Sequence, residues 1–342
     1  MGVKEFFLYL SHLTFSRVLN LLLCGVGYLF SQILRYPVVL GKPWSVSIEP
    51  TTRCNFQCPE CPTGIGELGR RAGDMALDRF IDIINEIEHT TLTVLLHFQG
   101  EPLMNPDIYK MVEYASSKRI ITEMATNATL LDKEASEKLV KSGLKKIVIS
   151  IDSPSEKEFG MYRKGGQLTG VLLGIENIQQ AKLKYKTGYP LLCLELLAFK
   201  NNVSRIEDFV TLGKSLRADV IRVKTVQLLN LEDAADKIPI GTKYCRYEKR
   251  VDGSIALKGK ANSPCSVPWY KCSLTHDGWI VPCCFDKSAT YLLGSINTHS
   301  LNEVWYSKHY NNFRKRLIRH RRLMPVCSTC PQGRVKIDFN VG

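Results

Sequence analysis

Three cysteines, Cys54, Cys58 and Cys61, fall within the stretch TTRCNFQCPECPTG at 51–64, directly behind a short apolar run, SVSIEP. Thiolate is a soft ligand that selects iron-sulfur clusters, zinc or Cu(I). Intervals of three and two residues let one short loop wrap a single compact object. A structural zinc site closes with four ligands, but no fourth stands near, since the next histidine is His89 and the next cysteine Cys193. Three ligands on a four-iron cluster would leave one iron open to a substrate or cofactor, so the missing fourth thiol reads as the functional feature.

The chain holds 12 cysteines in 342 residues, with no cleavable signal pattern, and sets them in CxxxCxxC and CxxC groups. That usage favours metal binding in a reducing, cytoplasmic compartment over a disulfide framework. Cys24, Cys193 and Cys245 stand alone in the sequence and read as small buried hydrophobes.

The elements that must position these thiols follow from the hydrophobic pattern. Strands are predicted at 45–49, 92–98, 121–126, 145–151, 191–199 and 219–226, with helices between them at about 75–88, 107–118, 132–142, 167–185 and 204–216. Alternation of this kind implies right-handed crossovers and a parallel sheet. Six units are too few for a closed eight-stranded barrel and suit an open one. After Gln227 the alternation stops and a cysteine-rich tail follows, with weak strand signals and the look of loop.

Residues 1–43 differ from the rest. Seventeen uncharged residues, VLNLLLCGVGYLFSQIL, lie between Arg17 and Arg35. They are apolar on nearly every helical face, as in a helix that is buried or touches lipid. Three placements stay open: an in-plane helix at a membrane surface, a helix docked on the protein's own body, and a short span, for which about 20 residues are typical. Expected boundaries are therefore an apolar helical segment at 1–43, a core at 44–235 and a cysteine-rich tail at 236–342. The formal charge of +13 favours acidic partners, whether nucleic acid, anionic lipid or acidic peptide. Its densest run, RKRLIRHRR at 314–322, would serve such a surface or simply be a solvated helix face.

CxxxCxxC with an aromatic residue before its second cysteine, here Phe56, in the loop after the first strand of a β/α array, resembles the signature of the radical S-adenosylmethionine superfamily. Further matches follow at later strand ends. QGEP at 99–102 is similar to the family's GGEP, with Gln99 in place of the first glycine, and the resemblance implies that Gly100 and Glu101 hold the cofactor's amino group. TNA at 126–128 puts Asn127 at the barrel mouth. SID at 150–152 offers Ser150 and Asp152 to a ribose diol, and Arg163, in YRKGG, is similar to the arginine that pairs with the cofactor carboxylate. The fold implied is α/β, a partial (β/α)6 TIM-like barrel. The chemistry implied is reductive cleavage of S-adenosylmethionine on a 4Fe-4S cluster, giving a 5′-deoxyadenosyl radical that abstracts a substrate hydrogen. Lys224, a charge within the sixth strand, either enters that site or reaches only the barrel rim.

The tail, CSVPWYKCSLTHDGWIVPCC at 265–284 and VCSTC at 326–330, resembles the superfamily's SPASM or twitch extension. By that resemblance Cys265, Cys283, Cys327 and Cys330 hold one auxiliary 4Fe-4S cluster. Cys284 rivals Cys283, Cys272 is a further candidate ligand, and a zinc ribbon on the same four thiols is the alternative. With two clusters the charge falls only from +13 to about +10. The implied activity is oxidation or cross-linking of a peptide or protein side chain, with a small-molecule or lipid-linked substrate at the membrane as the other reading. Partners implied are an electron donor such as flavodoxin or ferredoxin and, through the apolar and basic segments, an anionic membrane surface at the inner face of the cytoplasmic membrane. Nucleic acid is not an expected partner, since it would leave the cysteine loop without a task.

Overall fold

The computed structural model describes residues 2–229, 231, 234–258, 264–328, 330 and 336–340, with the backbone alone at 336, 337 and 340. Six strands, β1 (Ser45–Ile48), β2 (Thr93–Leu95), β3 (Ile121–Thr126), β4 (Lys146–Ser150), β5 (Leu191–Ala198) and β6 (Val220–Thr225), pair in that order, each parallel to the next. The expected open barrel is thus present. Helices α3 (Leu77–Ile87), α4 (Ile108–Ser117), α5 (Lys133–Lys141), α7 (Leu168–Lys184) and α8 (Ile206–Ser215) form its crossovers, preceded in the chain by α1 (Val3–Ser11) and α2 (Phe15–Leu34). In α3 the buried side chains Phe80, Ile83, Ile84 and Ile87 recur at helical spacing, which is why this segment folds as a helix against the sheet. At the start of α5, Asp132 accepts a hydrogen bond from the Ala135 amide and so satisfies an otherwise orphaned donor. A further helix, α6 (Glu156–Tyr162), was not expected; it is too short for a periodic signal.

The tail departs from its sequence reading as loop. After α9 (Ala234–Lys237) and a small hairpin of β7 (Tyr247–Lys249) and β8 (Ile255–Leu257), strand β9 (Lys271–Leu274) adds to the free edge of β1 in parallel, with Ser45 opposite Lys271. Strands β10 (Trp279–Val281) and β11 (Gly294–Ser295) extend that edge antiparallel. At the other edge β12 (Lys336–Asn340) lies antiparallel to β6. The sheet therefore has ten strands, and both edges of the six-stranded core are covered by residues from the tail. These added strands run two to five residues, too short for alternation to be seen in the sequence. Helices α10 (Leu301–Tyr306), α11 (Lys308–His320) and α12 (Pro325–Ser328) follow. Ser300 and Glu303 cap α10 reciprocally, and Trp269, Trp305 and Tyr310 join the same core as the barrel strands. Positions 341–342, the expected end of the tail, lie outside the described residues.

Helix α2 docks on the body. It buries Arg17, Asn20, Cys24, Gly27 and Ser31. Asn20 donates to the Lys42 and Thr90 carbonyls, and the Trp269 indole donates to Ser31 Oγ at 2.9 Å. Of the three placements open from the sequence, a span is incompatible with these contacts, which tie the first half of the helix to the barrel and the second half to the tail. The basic run also divides: Arg314 is fully buried, donates to the Pro268 and Trp305 carbonyls, and lies over the Trp305 and Tyr310 rings. Arg314 is thus a core residue, while Arg316, Arg319 and Arg322 are exposed.

Candidate active site and metal centres

The C-terminal ends of the parallel strands open on one cavity of about 930 Å³, lined by Cys54, Cys58, Cys61, Phe56, Gly100, Glu101, Asn127, Ser150 and Arg163. Strand ends are where β/α barrels collect functional groups. The fold thus brings together on one cavity all nine of these residues, each of them expected from the sequence. At Gly100, with φ +74°, a Cβ would lie 2.3 Å from the Thr51 carbonyl oxygen, so the close approach of this turn to the cysteine loop requires glycine. The Glu101 amide donates to the Arg53 carbonyl at 2.7 Å, tying the two loops together just before Cys54.

Glu101 is buried, and its carboxylate accepts from Thr126 Oγ1 at 2.7 Å, the Asn127 amide at 2.8 Å and the Leu103 amide at 3.2 Å. Burial raises its pKa and these three donors oppose the rise. Asn127 donates from Nδ2 to Asn55 Oδ1 at 2.7 Å, fixing the cysteine loop from the third strand. Gln99, which stands where a glycine was expected, donates to the Phe98 carbonyl, and its Oε1 lies 3.2 Å from Thr63 Oγ1 and 3.8 Å from Cys61 Sγ. The extra side chain thus braces the thiol loop. Phe56 is buried against Gly166, where a Cβ would lie 2.1 Å from its ring.

Asp152 is not on the cavity wall. Its carboxylate accepts from Arg163 Nε and from the Leu197 amide at 2.8 Å, while Arg163 Nη1 lies 3.8 Å from Cys58 Sγ. Asp152 therefore orients the arginine and holds its pKa up against desolvation. Lys224 does reach the cavity, in an ion pair of 2.6 Å with Glu195. His97 also lines it and was missed in the sequence, because a histidine after a hydrophobic strand carries no motif. Burial lowers its pKa to about 4, and Nδ1 is buried with no hydrogen-bond partner among the described residues.

Burial pushes Cys54 up to about 11 and raises Cys58, whose rise Arg163 opposes. Such thiols ionise readily only beside a cation, as a metal supplies. Three soft thiol donors on one short loop suit an iron-sulfur cluster. The loop itself supplies three thiols, with a cavity at their side.

The tail cysteines converge on a second place. Cys265, Cys283, Cys327 and Cys330, separated by up to 65 positions in the chain, line one small apolar pocket with Pro268, Phe285 and Phe313. Cys284 is exposed and faces the main cavity instead, and Cys272 is buried within β9. Burial and mutual repulsion among these thiols raise Cys283 well above its ordinary value and Cys327 to about 12, while Arg321 opposes the rise at Cys265 and Cys327. Four soft donors in an apolar enclosure fit an iron-sulfur cluster.

Comparison with known proteins agrees. Residues 48–197 match the model of the Radical SAM superfamily, and residues 265–331 match that of SPASM, an iron-sulfur cluster-binding domain. The chain belongs to the radical S-adenosylmethionine superfamily and is an enzyme of that class. Its barrel domain binds a 4Fe-4S cluster and S-adenosylmethionine, and its SPASM domain binds auxiliary iron-sulfur clusters. A PqqA peptide cyclase from Bradyrhizobium diazoefficiens is 26% identical over 300 residues, covering 80% of this chain and 76% of that protein. An AdoMet-dependent heme synthase from Methanosarcina barkeri is 26% identical over 224 residues, covering 64% and 62%. Among solved structures, Streptococcus suis SuiB bound to precursor peptide SuiA aligns with a TM-score of 0.60 at 15% identity, covering 84% of this chain and 70% of that one. At that identity it establishes the fold.

Proposed function

We propose that the chain oxidises or cross-links a side chain of a peptide or protein by radical chemistry. One observation carries the reading: the loop of Cys54, Cys58 and Cys61 and the turn of Cys283 and Cys284 border the same 930 Å³ cavity, so a substrate seated there lies between two metal centres. When bound, the groups held there supply a 5′-deoxyadenosyl radical that takes a hydrogen atom from the substrate, and one auxiliary 4Fe-4S cluster as acceptor for the electron left behind. The chain's own residues bind and orient. Gly100 and Glu101 would hold the cofactor's amino group, Ser150 its ribose, and Arg163, held by Asp152, its carboxylate. Asp152, enclosed behind Arg163, does not meet the ribose and serves only to orient that arginine. The Lys224–Glu195 pair offers charge to the substrate, and the neutral His97 lines the same cavity.

The names of two relatives, a peptide cyclase and an enzyme bound to its precursor peptide, support a peptide. The heme synthase relative supports the second reading, a small or lipid-linked molecule. In either, a flavodoxin or ferredoxin of the cytoplasm donates the electron. The test is anaerobic incubation of the iron-loaded protein with dithionite and S-adenosylmethionine, with and without candidate peptides encoded beside its gene. Formation of 5′-deoxyadenosine, with loss of two hydrogens from the peptide, is expected. Its formation with lipid extract but no peptide would turn the assignment to the second reading, and its absence throughout would refute both.

A further inference from the structure

Helix α2 is built inside out for a water-soluble protein. Its body-facing side carries Arg17, Asn20, Gly27 and Ser31, whereas Phe15, Leu19, Leu22, Val26, Leu29 and Ile33 form a solvent-facing stripe at intervals of four and three. The flanking Val18, Phe30 and Leu34 widen that stripe, and Phe6, Phe7 and Leu10 of α1 are exposed as well. At about 1.5 Å per residue the stripe runs some 30 Å, and monomeric soluble proteins seldom leave so large an apolar surface in water.

A charged site stands at the end of this stripe. Between the C-terminus of α2 and the end of α11 lies a cavity of about 550 Å³ whose described lining includes Arg35, Arg319, His320, Arg321 and Arg322, and no carboxylate. Arg319 Nε donates to the Arg35 carbonyl at 3.3 Å, placing the basic turn against the helix end. Leu323, in the cavity lining, is 77% exposed, and Ile33 and Leu34, between the lining residues Gln32 and Arg35, are 66% and 59% exposed. Apolar surface and cationic cavity therefore meet at one edge.

We propose that this face rests on a bilayer of anionic lipid, with α1 and the outer stripe of α2 lying in the interfacial plane and the arginine cavity receiving a phosphate headgroup. Charge complementarity selects this occupant, since clustered arginines beside an amphipathic helix draw anionic headgroups. A second copy packed helix to helix would want charged residues beside the stripe to set its register, and α2 carries a single charge, Arg17, on its inner side. The protein then lies on the membrane without crossing it. The arginine cavity shares Cys265 and Arg321 with the pocket of the tail cysteines but stands apart from the cavity of the Cys54 loop, and its assignment does not depend on the substrate.

Flotation of the iron-loaded full-length protein tests it, with vesicles of phosphatidylcholine alone or containing about a third phosphatidylglycerol. Flotation with the anionic vesicles is expected, weakened by salt. Arg319→Ala with Arg322→Ala should lower affinity for them by about fivefold per arginine and leave binding to neutral vesicles unchanged. Leu22→Glu with Leu29→Glu, both at exposed positions, should abolish flotation on both while 5′-deoxyadenosine formation without vesicles persists. Failure of the unaltered protein to float would overturn the proposal, as would equal affinity of the arginine variant for anionic vesicles. A dimer in solution that the Leu22→Glu, Leu29→Glu variant returns to monomers would assign the face to a second copy and overturn it too.

Discussion

Arg17 is the pin that holds α2 to the barrel, and its removal has a calculable local effect. Nη1 donates to the carbonyls of His12 at 2.8 Å and Arg119 at 2.6 Å, and Nη2 to those of Glu88 at 2.9 Å and Lys118 at 3.3 Å. His12, Glu88 and Lys118 are the C-caps of α1, α3 and α4. One guanidinium therefore satisfies carbonyls at three helix ends, where the backbone dipoles concentrate negative potential. Arg17→Met keeps the length of the side chain and removes the charge and its donors. Charge-assisted bonds are worth about 1.5–3 kcal/mol each. They share one side chain, however, and the carbonyls rehydrate once α2 lifts, so the loss is about 3–5 kcal/mol, as for breaking a buried ionic contact from one side. The loss falls on the docking of α2, whose remaining polar ties include Ser16, Asn20, Cys24 and Ser31, and the barrel core stays folded. Hydrogen exchange read by mass spectrometry should then show amides of 15–34 exchanging about a hundredfold to a few thousandfold faster, with those of the parallel strands unchanged. Exchange of α2 within threefold of the unaltered protein would refute the account, and acceleration spread evenly over the strands would show that Arg17 supports the whole fold instead.

Three other outcomes follow from the site. Cys283→Ala should cut iron from about eight to about four atoms per chain, whereas Cys284→Ala should leave it unchanged; zinc in place of the lost iron would refute the cluster at the tail. Gly100→Ala forces a left-handed alanine whose Cβ would meet the Thr51 and Arg53 carbonyls at 2.3 and 2.8 Å. The cost is about 3 kcal/mol, read as weaker iron loading at the Cys54 loop and a lower melting temperature. His97 is neutral in the folded chain, with its pKa lowered to about 4 from 6.5, so its contribution to stability is complete above pH 6.5 and is lost as pH falls towards 4. That loss amounts to about 3 kcal/mol, and denaturant titrations of His97→Gln across that window should lack it.

Local pattern sufficed for much of the barrel and for the thiol loop. Cys54, Cys58 and Cys61 lie within eight residues, so one turn must bring them together whatever surrounds it. Helix and strand periods also repeat often enough in the six units to be read directly. Gly100, Glu101, Asn127 and Ser150 were recognisable because the motifs that carry the family resemblance sit at predictable strand ends, and Arg163 because YRKGG resembles the family's arginine segment. His97 and the Lys224–Glu195 pair carried no such signal, since what places them on the cavity is the direction of side chains along strands and not a motif.

What the amino-acid sequence determined by itself was the chemistry available, namely soft donors at fixed spacing, an apolar segment near the N-terminus and a repeating β/α pattern. Tertiary structure decided which Cys of the 283–284 pair faces the other three, that β9 completes the edge beside β1, that Asp152 is spent on Arg163, and which side of α2 meets the barrel. The physical reason is common to all four. Backbone ladders accept nearly any short extended segment, and a buried polar group takes whichever remote partner the fold presents, so these choices depend on chain segments up to some two hundred residues away rather than on neighbours in the sequence.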